Sequence, residues 1–387
     1  MSWPLRSLSE VGKINTGSTP KTSDPALWGG DLPFVTPGEL GSFDPIVSAA
    51  RGLTDQGASK ARTVPQNSIL VCCIGSLGKT GIAGRNLVTN QQINSISFDE
   101  QYVYPRYGLY ACARLAPALQ SVAPATTVPI VNKTEFSKLK IPLPPLDEQR
   151  RIAAILDKAD SLRQKRKQAI ALLDSLTQSI FLEMFGDPAS NPKGFPTGCI
   201  GDLLESVSYG TSAKAGTQGA FPILRMGNVT RSGQIDLSDL KYIDLEGKEI
   251  EKYTVGKGDI LFNRTNSAEL VGKTAVFDRD EPYAFAGYLV RARVRSGITP
   301  EYISGYLNST HGKATLRGMA KSIVGMANIN AKEMQLIPIL IPDGETQLEF
   351  VKRIESVTER KAQMLPALEQ ANDLFASLQH RAFAGEL

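Results

Sequence analysis

The chain has 387 residues, with 43 Lys+Arg against 39 Asp+Glu, two His, four Cys and 42% apolar residues. That length calls for two or three domains, each able to bury its own core, and the ordinary apolar and charged fractions exclude a disordered or collagen-like chain. A net charge of +4 does not by itself demand nucleic acid, so any DNA binding has to come from local placement of charge.

Taken in chain order, the opening MSWPLRSLSE has no apolar run behind a basic one and does not read as a secretory signal. No later stretch reaches about 18 apolar residues, so no membrane span is expected. Cys72, Cys73, Cys112 and Cys199 form neither a disulfide framework nor a CxxC metal site, and the expectation is a reduced, cytoplasmic protein. Short β-type runs (SILVCCI, DILFN, YLVRARV) alternate with Gly, Pro and Asn turns. Tyr107–Ala116 and Glu301–Ser309 read as helices. The pattern is α+β rather than alternating βαβ units.

Two long helical segments dominate, from Asp147 to about Phe185 and from about Glu345 to Phe383. Shifting the first by 198 residues aligns Gln149 with Gln347, Ile152 with Phe350, Leu176 with Leu374, Ser179 with Ser377 and Phe185 with Phe383. Each follows an extended Pro-containing lead, IPLPPL at 141–146 and IPILIP at 337–342. The preceding globular parts echo each other as well. Val-Pro-Gln-Asn-Ser-Ile-Leu-Val (64–71) matches Val-Gly-Lys-Gly-Asp-Ile-Leu-Phe (255–262), and Leu-Gly-Lys-Thr (77–80) matches Val-Gly-Lys-Thr (271–274). The chain therefore reads as an internal repeat, domain–helix–domain–helix.

In the first helix Ile152, Ala159, Arg166, Leu173 and Ile180 recur every seven residues, with Ile155, Leu162, Ala169 and Leu176 between them. In the second, Phe350, Val357, Met364, Ala371 and Leu378 repeat likewise, supported by Ile354, Leu368 and Phe375. These heptad seams predict that the two helices pair with each other as a coiled coil. Pro366 lies inside the second pattern and is expected to kink or interrupt it.

Catalytic chemistry is hard to find. Gly-Lys-Thr at 78–80 and 272–274 lacks the first glycine of a P-loop, since those positions hold Cys73 and Ser267. That leaves a turn encoded by the repeat, or a Lys and a Thr offered to a nucleic-acid phosphate. No GxGxxG follows a strand. His311 and His380 are isolated, and the Asp244-Leu-Glu246-Gly-Lys248 run is explained by a charged loop. The basic run Arg163–Lys167 is either a solvated helix face or a surface for DNA or an acidic partner.

Several segments together resemble the specificity (S) subunit of type I restriction–modification systems. They are WPLRSLSEVGKINTGSTPK (3–21), TNQQINSI (89–96), IPLPPLDEQRRIAAILDKAD (141–160) and LQHRAFAGEL (378–387). The resemblance spans the full chain, although Ala284–Tyr288 stands near the place of a second Asn-Gln-Gln. It implies two tandem target recognition domains, 1–146 and 186–344, held by a central spacer helix (147–185) and a distal one (345–387). The helices would form an antiparallel coiled coil with a pseudo-two-fold. The implied function is sequence-specific binding of a bipartite, asymmetric DNA site, directing adenine methylation or restriction by partner subunits. Two methyltransferase (M) subunits, restriction/translocase (R) subunits and double-stranded DNA are the implied partners, with no membrane. The chain itself would be non-catalytic and hold no cofactor, S-adenosylmethionine, ATP and Mg2+ belonging to the partners.

From side-chain chemistry, Asn and Gln suit adenine and Arg suits guanine. Candidates for base reading are Asn90, Gln91 and Gln92 in the first domain and Arg225, Asn263, Arg264 and Asn266 in the second. Candidates for phosphate contact are Lys79, Thr80, Lys273 and Thr274. The rival readings are a DNA-independent coiled-coil scaffold, a degenerate or orphan specificity subunit, and a self-sufficient DNA enzyme.

Overall fold

The computed structural model describes residues 3–123, 128–323 and 326–387. It divides into two units, one running to Arg166 and including Ala367–Leu387, the other comprising Lys167–Pro366. Each long helix therefore contributes one half to each unit.

In the first unit a five-stranded sheet is ordered Gly12–Thr16, Ile93–Phe98, Ile69–Cys72, Thr80–Ala83, Pro45–Ile46. A four-stranded sheet runs Arg51–Leu53, Trp28–Val35, Leu87–Thr89, Thr63–Val64. The second unit has the same plan. One sheet is ordered Leu204–Tyr209, Leu289–Val294, Ile260–Asn263, Thr274–Val276, and the other Lys241–Ile243, Phe221–Leu224, Tyr283–Phe285, Thr254–Val255. Even the strand senses agree: Trp28–Val35 pairs parallel with Leu87–Thr89, and Phe221–Leu224 parallel with Tyr283–Phe285. Two of the β-type runs in the sequence are central, fully buried strands, while YLVRARV holds Leu289–Val294, buried over its first four residues. SILVCCI holds Ile69–Cys72, and DILFN holds Ile260–Asn263. Burial on both faces explains why they are continuously apolar rather than alternating.

Helices cover one face of each larger sheet. Pro105–Ala113 and Pro300–Asn308 start at a proline, whose missing N–H costs nothing in a first turn. Their tyrosines fix the Pro-containing leads, for Tyr107 Oη donates to Pro142 O and Tyr302 Oη to Leu340 O, each at 2.7 Å. The leads are short antiparallel strands: Lys140–Pro142 pairs with Leu5–Ser7, and Pro338–Leu340 with Thr197–Cys199.

Each long helix is then anchored by a buried glutamine. Gln149 Oε1 accepts from Tyr104 N, and its Nε2 donates to Tyr102 O and Pro144 O, all at 2.8 Å. Gln347 repeats the arrangement, accepting from Thr299 N at 3.0 Å and donating to Pro342 O at 2.8 Å. A buried amide is tolerated only when its donors and acceptor are matched in this way.

The helices span Leu146–Phe185 and Gly344–Ala384. Their halves run antiparallel within each unit. In the first unit Arg151 donates to the Leu387 backbone oxygen at 2.9 Å, and the Arg163 guanidinium lies 4.3 Å from the Phe375 ring. In the second, Asp174 pairs with Lys361 at 2.6 Å and Glu183 with Arg353 at 3.0 Å, while Phe181 and Phe185 pack on Phe350.

Of the two outcomes expected at Pro366, a kink or an interruption, the interruption does not occur; helical structure continues from Gly344 to Ala384. An interior proline loses one backbone hydrogen bond at about 3 kcal/mol, and contacts to the central helix on both flanks, at Lys361 and at Phe375, offset it. The distal seam is otherwise as the pattern predicts, with Phe350 and Phe375 buried and Ile354, Val357, Leu368 and Leu378 partly buried.

The central seam departs from expectation in one of its two rows. Ile152, Ala159 and Ile180 are buried and Leu173 partly so, but the intermediate row is Leu156, Arg163, Ile170 and Thr177. Ile155 is only partly buried, and Leu162 and Leu176 are 43% and 42% exposed. Apolar residues occupy neighbouring positions along this helix, so periodicity alone fits either row. The stack of Arg163 on Phe375 selects the other one, helped by its ion pair to Asp160.

Candidate nucleic-acid interface

The Asn-Gln-Gln segment is a tight turn between Leu87–Thr89 and Ile93–Phe98. Asn90 Nδ2 donates to Gln92 Oε1 at 2.8 Å, and Gln92 N donates to Asn90 Oδ1 at 3.2 Å. Two of the three side chains are thus engaged with each other. Gln91 is exposed, and its Oε1 accepts from Thr19 Oγ1 at 2.6 Å. The turn backs onto Gly17, where a Cβ would stand 2.1 Å from Asn90 O, so no side chain fits beneath it.

The second unit builds the same turn from different residues. Ile93 N bonds Asn90 O in one, and Leu289 N bonds Ala286 O in the other. Gly17 N and Gly210 N donate to Ile93 O and Leu289 O. Ala286-Gly287-Tyr288 is therefore the structural counterpart of Asn90-Gln91-Gln92, with no amide side chain. A 52% exposed Tyr288 stands where the first unit has Gln92.

Arg264 sits beside this turn. Its N bonds Tyr288 O, its Nε donates to Gly287 O at 3.1 Å, and its guanidinium lies 5.1 Å from the Tyr209 ring. The guanidinium is held by ring and carbonyl, and the residue is partly exposed. Asn266 is partly exposed and accepts from Ser267 N. Arg225 is tied down by Asp239, with Nη2 2.8 Å from the carboxylate and 3.0 Å from the carbonyl. Tyr209 and Tyr288 were missed by residue chemistry aimed at amides and guanidinium groups. The signal available was Tyr209-Gly210 standing where the first domain has Thr16-Gly17.

The Gly-Lys-Thr segments are turns with the same backbone. Gly78 and Gly272 both have φ of 82°, and each donates to the end of the preceding strand, at Cys72 O and Asn263 O. A Cβ on Gly78 would lie 2.4 Å from Ala116 Cβ, and one on Gly272 2.6 Å from Leu316 Cδ1. Glycine is demanded here by positive φ and by close helix packing, not by a phosphate.

Three of the expected DNA contacts are corrected by burial. Thr80 and Thr274 are buried, and their hydroxyls donate to Gly78 O and Gly272 O. Asn263 is fully buried, with Nδ2 lacking a hydrogen-bond partner among the described residues. All three lie on or beside central strands, which point them inward. Lys79 is exposed. Lys273 is instead turned inward, donating to Met226 O and Val229 O, and burial lowers its amine below the usual lysine range.

The remaining motifs have structural explanations. Asp244 accepts from Ala220 N at 2.8 Å, within a charged turn. His380 is exposed, and His311 Nδ1 lies 3.9 Å from Asp187. The basic run divides: Arg163 packs inward, and Lys165 and Lys167 are exposed. All four cysteines are free thiols, and burial pushes Cys73 up to about 12. Among the described residues no helix is long and apolar enough to cross a membrane, and no three His, Cys, Asp or Glu side chains are grouped to hold a metal ion.

Two repeated α+β units with paired antiparallel helix halves define a class of protein, and sequence comparison assigns it. Residues 2–172 and 192–370 match the type I restriction modification DNA specificity domain, one copy for each half of the repeat, and the chain belongs to that family. Similar relatives include the type I restriction enzyme EcoKI specificity subunit of Escherichia coli (strain K12), 26% identical over 289 residues, 70% of this chain and 62% of the relative. The MjaIX specificity subunit of Methanocaldococcus jannaschii is 25% identical, over 69% of this chain and 67% of the relative. The matched region thus spans about two thirds of these relatives' length. The crystal structure of a type I restriction–modification S subunit from M. genitalium shares the fold, with a TM-score of 0.58 at 16% identity, covering 98% of this chain and 96% of that one.

Proposed function

We propose that the chain is the DNA-recognising, non-catalytic specificity subunit of a type I restriction–modification complex. Each unit reads one half of a bipartite, asymmetric site, and the paired helices set the gap between halves. Partner methyltransferase subunits, two per chain, modify adenine, and restriction/translocase subunits cut unmodified DNA. The observation that carries this reading is the doubled specificity domain, matched in residues 2–172 and 192–370.

The difference between the two recognition turns supports unequal half-sites. One offers Asn90, Gln91 and Gln92, the other Tyr288 with Arg264 beside it. Gln91 is the side chain best placed for adenine and Arg264 for guanine, with Asn266 beside it. Lys79 serves as a phosphate contact. For the methyltransferase partners, the helices offer exposed leucines, among them Leu172 and Leu176, one turn apart on the central helix.

The test is Arg264→Ala, with methylation scored across a randomised site library in the complex with methyltransferase. Relaxed preference at positions within one half-site, a loss of about 1–3 kcal/mol of discrimination, is expected. Unchanged preference removes Arg264 from base reading. Absence of any salt-dependent DNA binding by the complex favours the scaffold instead.

A further inference from the structure

In the second unit a surface cleft opens beside the 267–273 turn, and its walls carry Arg231, Lys273, Lys313 and Arg317 against one carboxylate, Glu269. Three chain segments converge to make it. Lys313 and Arg317 lie one turn apart on the helix Thr310–Met319, and so share a face. Arg231 comes from a tight turn closed by Thr230 N to Gln234 O. That turn is fixed in place: Lys313 Nζ donates to Arg231 O at 3.3 Å, and Gly233, at φ of 80°, lies so close to Asn308 that a Cβ would be 2.6 Å from Nδ2.

The cations are not neutralised. Arg231 and Arg317 are exposed and make no ion pair among the described residues. Burial, with Arg231 and Arg317 nearby, holds the Lys313 amine below the usual lysine range. Like charges gathered in excess of their counter-charge cost stability, and a bound anion offsets that cost.

The first unit lacks this chemistry at the equivalent backbone. Its counterpart helix, Ala116–Val122, which packs on Gly78 as Thr310–Met319 packs on Gly272, contains no Lys or Arg. Its 36–44 loop, TPGELGSFD, carries only acidic charges. The cleft is therefore a property of the second domain's own sequence and not of the shared fold.

We propose that this cleft is a phosphate-binding site, which seats a backbone phosphate of DNA and gives the second recognition domain a sequence-independent grip built from several cations, where the first offers Lys79 at the equivalent turn. The assignment rests on the DNA-recognition reading above. Its position beside the turn that follows Arg264 and Asn266 places a phosphate contact next to the candidate base contacts, as recognition surfaces require.

The test compares the full chain, in complex with its methyltransferase partner, with an Arg231→Gln/Lys313→Gln/Arg317→Gln variant, binding cognate DNA at graded salt. The expected result is a plot of log affinity against log salt that is shallower by about one unit for each phosphate no longer neutralised, with site preference in a randomised library unchanged. Because Lys313 is half-buried, Arg231→Gln/Arg317→Gln, which touches only exposed side chains, is measured in parallel. Steep, equal slopes in parent and both variants overturn the cleft assignment and leave DNA recognition standing. No salt-dependent binding by the parent overturns DNA recognition itself, and the proposal with it. A thermal shift with inorganic phosphate that the variants abolish, together with unchanged DNA slopes, assigns the cleft to a free phosphate compound and overturns the DNA assignment.

Discussion

Gln149 and Gln347 show how single side chains tie a recognition domain to its helix. Each is buried at a helix start and bonds backbone groups of the preceding lead and of the loop before the tyrosine helix. Truncation leaves buried N–H and C=O groups without partners, which costs about 1–3 kcal/mol per group. Gln149→Ala and Gln347→Ala are expected to lower the urea midpoint of the chain, whereas Gln178→Ala, at an exposed position, stays within about 0.5 kcal/mol. The two glutamines were legible in the sequence as an aligned pair. Their partners were not, because the Tyr102, Tyr104 and Thr299 backbone groups reach them only through the fold. Burial likewise removed Thr80, Thr274 and Asn263 from the contact surface, since residue type says what a group can bond and not which way its strand faces.

At the scale of elements, the helix extents were legible nearly to the residue, and the distal seam with them. The central seam was half legible. Seven-residue recurrence located Ile152, Ala159, Leu173 and Ile180, but Leu162 and Leu176 compete with Arg163 and Thr177 for the second row. The packed row is the one that stacks Arg163 on Phe375. Phe375→Ala is therefore expected to cost about 3–5 kcal/mol, and Leu162→Ala less than about 0.5 kcal/mol. Thermal or chemical unfolding of the two variants checks the register, and the opposite order would restore the row through Leu162. The continuous helix through Pro366 teaches the same lesson, because a local penalty of about 3 kcal/mol is outweighed by packing that local sequence does not report.

For the whole molecule, the repeat has a functional consequence when the helices act as a spacer between half-sites. Removing one matched heptad from both helices, so that the seam stays in register, is expected to change the preferred gap between half-sites by a discrete number of base pairs while each half-site sequence is kept. Methylation of a library with varied gaps reads this out, and an unchanged gap contradicts the spacer role. Seven residues shorten a helix by about 10 Å, about three base pairs at 3.4 Å each.

What the sequence alone determined is the plan: two related α+β domains, two long amphipathic helices, and the absence of a legible catalytic motif. These follow from periodicity and self-similarity, which are properties of the chain read in order. Only the tertiary structure decided which side chains face outward. It paired the Asn-Gln-Gln turn with Ala286-Gly287-Tyr288, turned Lys273 inward while leaving Lys79 exposed, and gathered Arg231, Lys313 and Arg317 from segments some 80 residues apart. The physical reason is that burial and convergence depend on contacts between distant segments, and no local pattern encodes them.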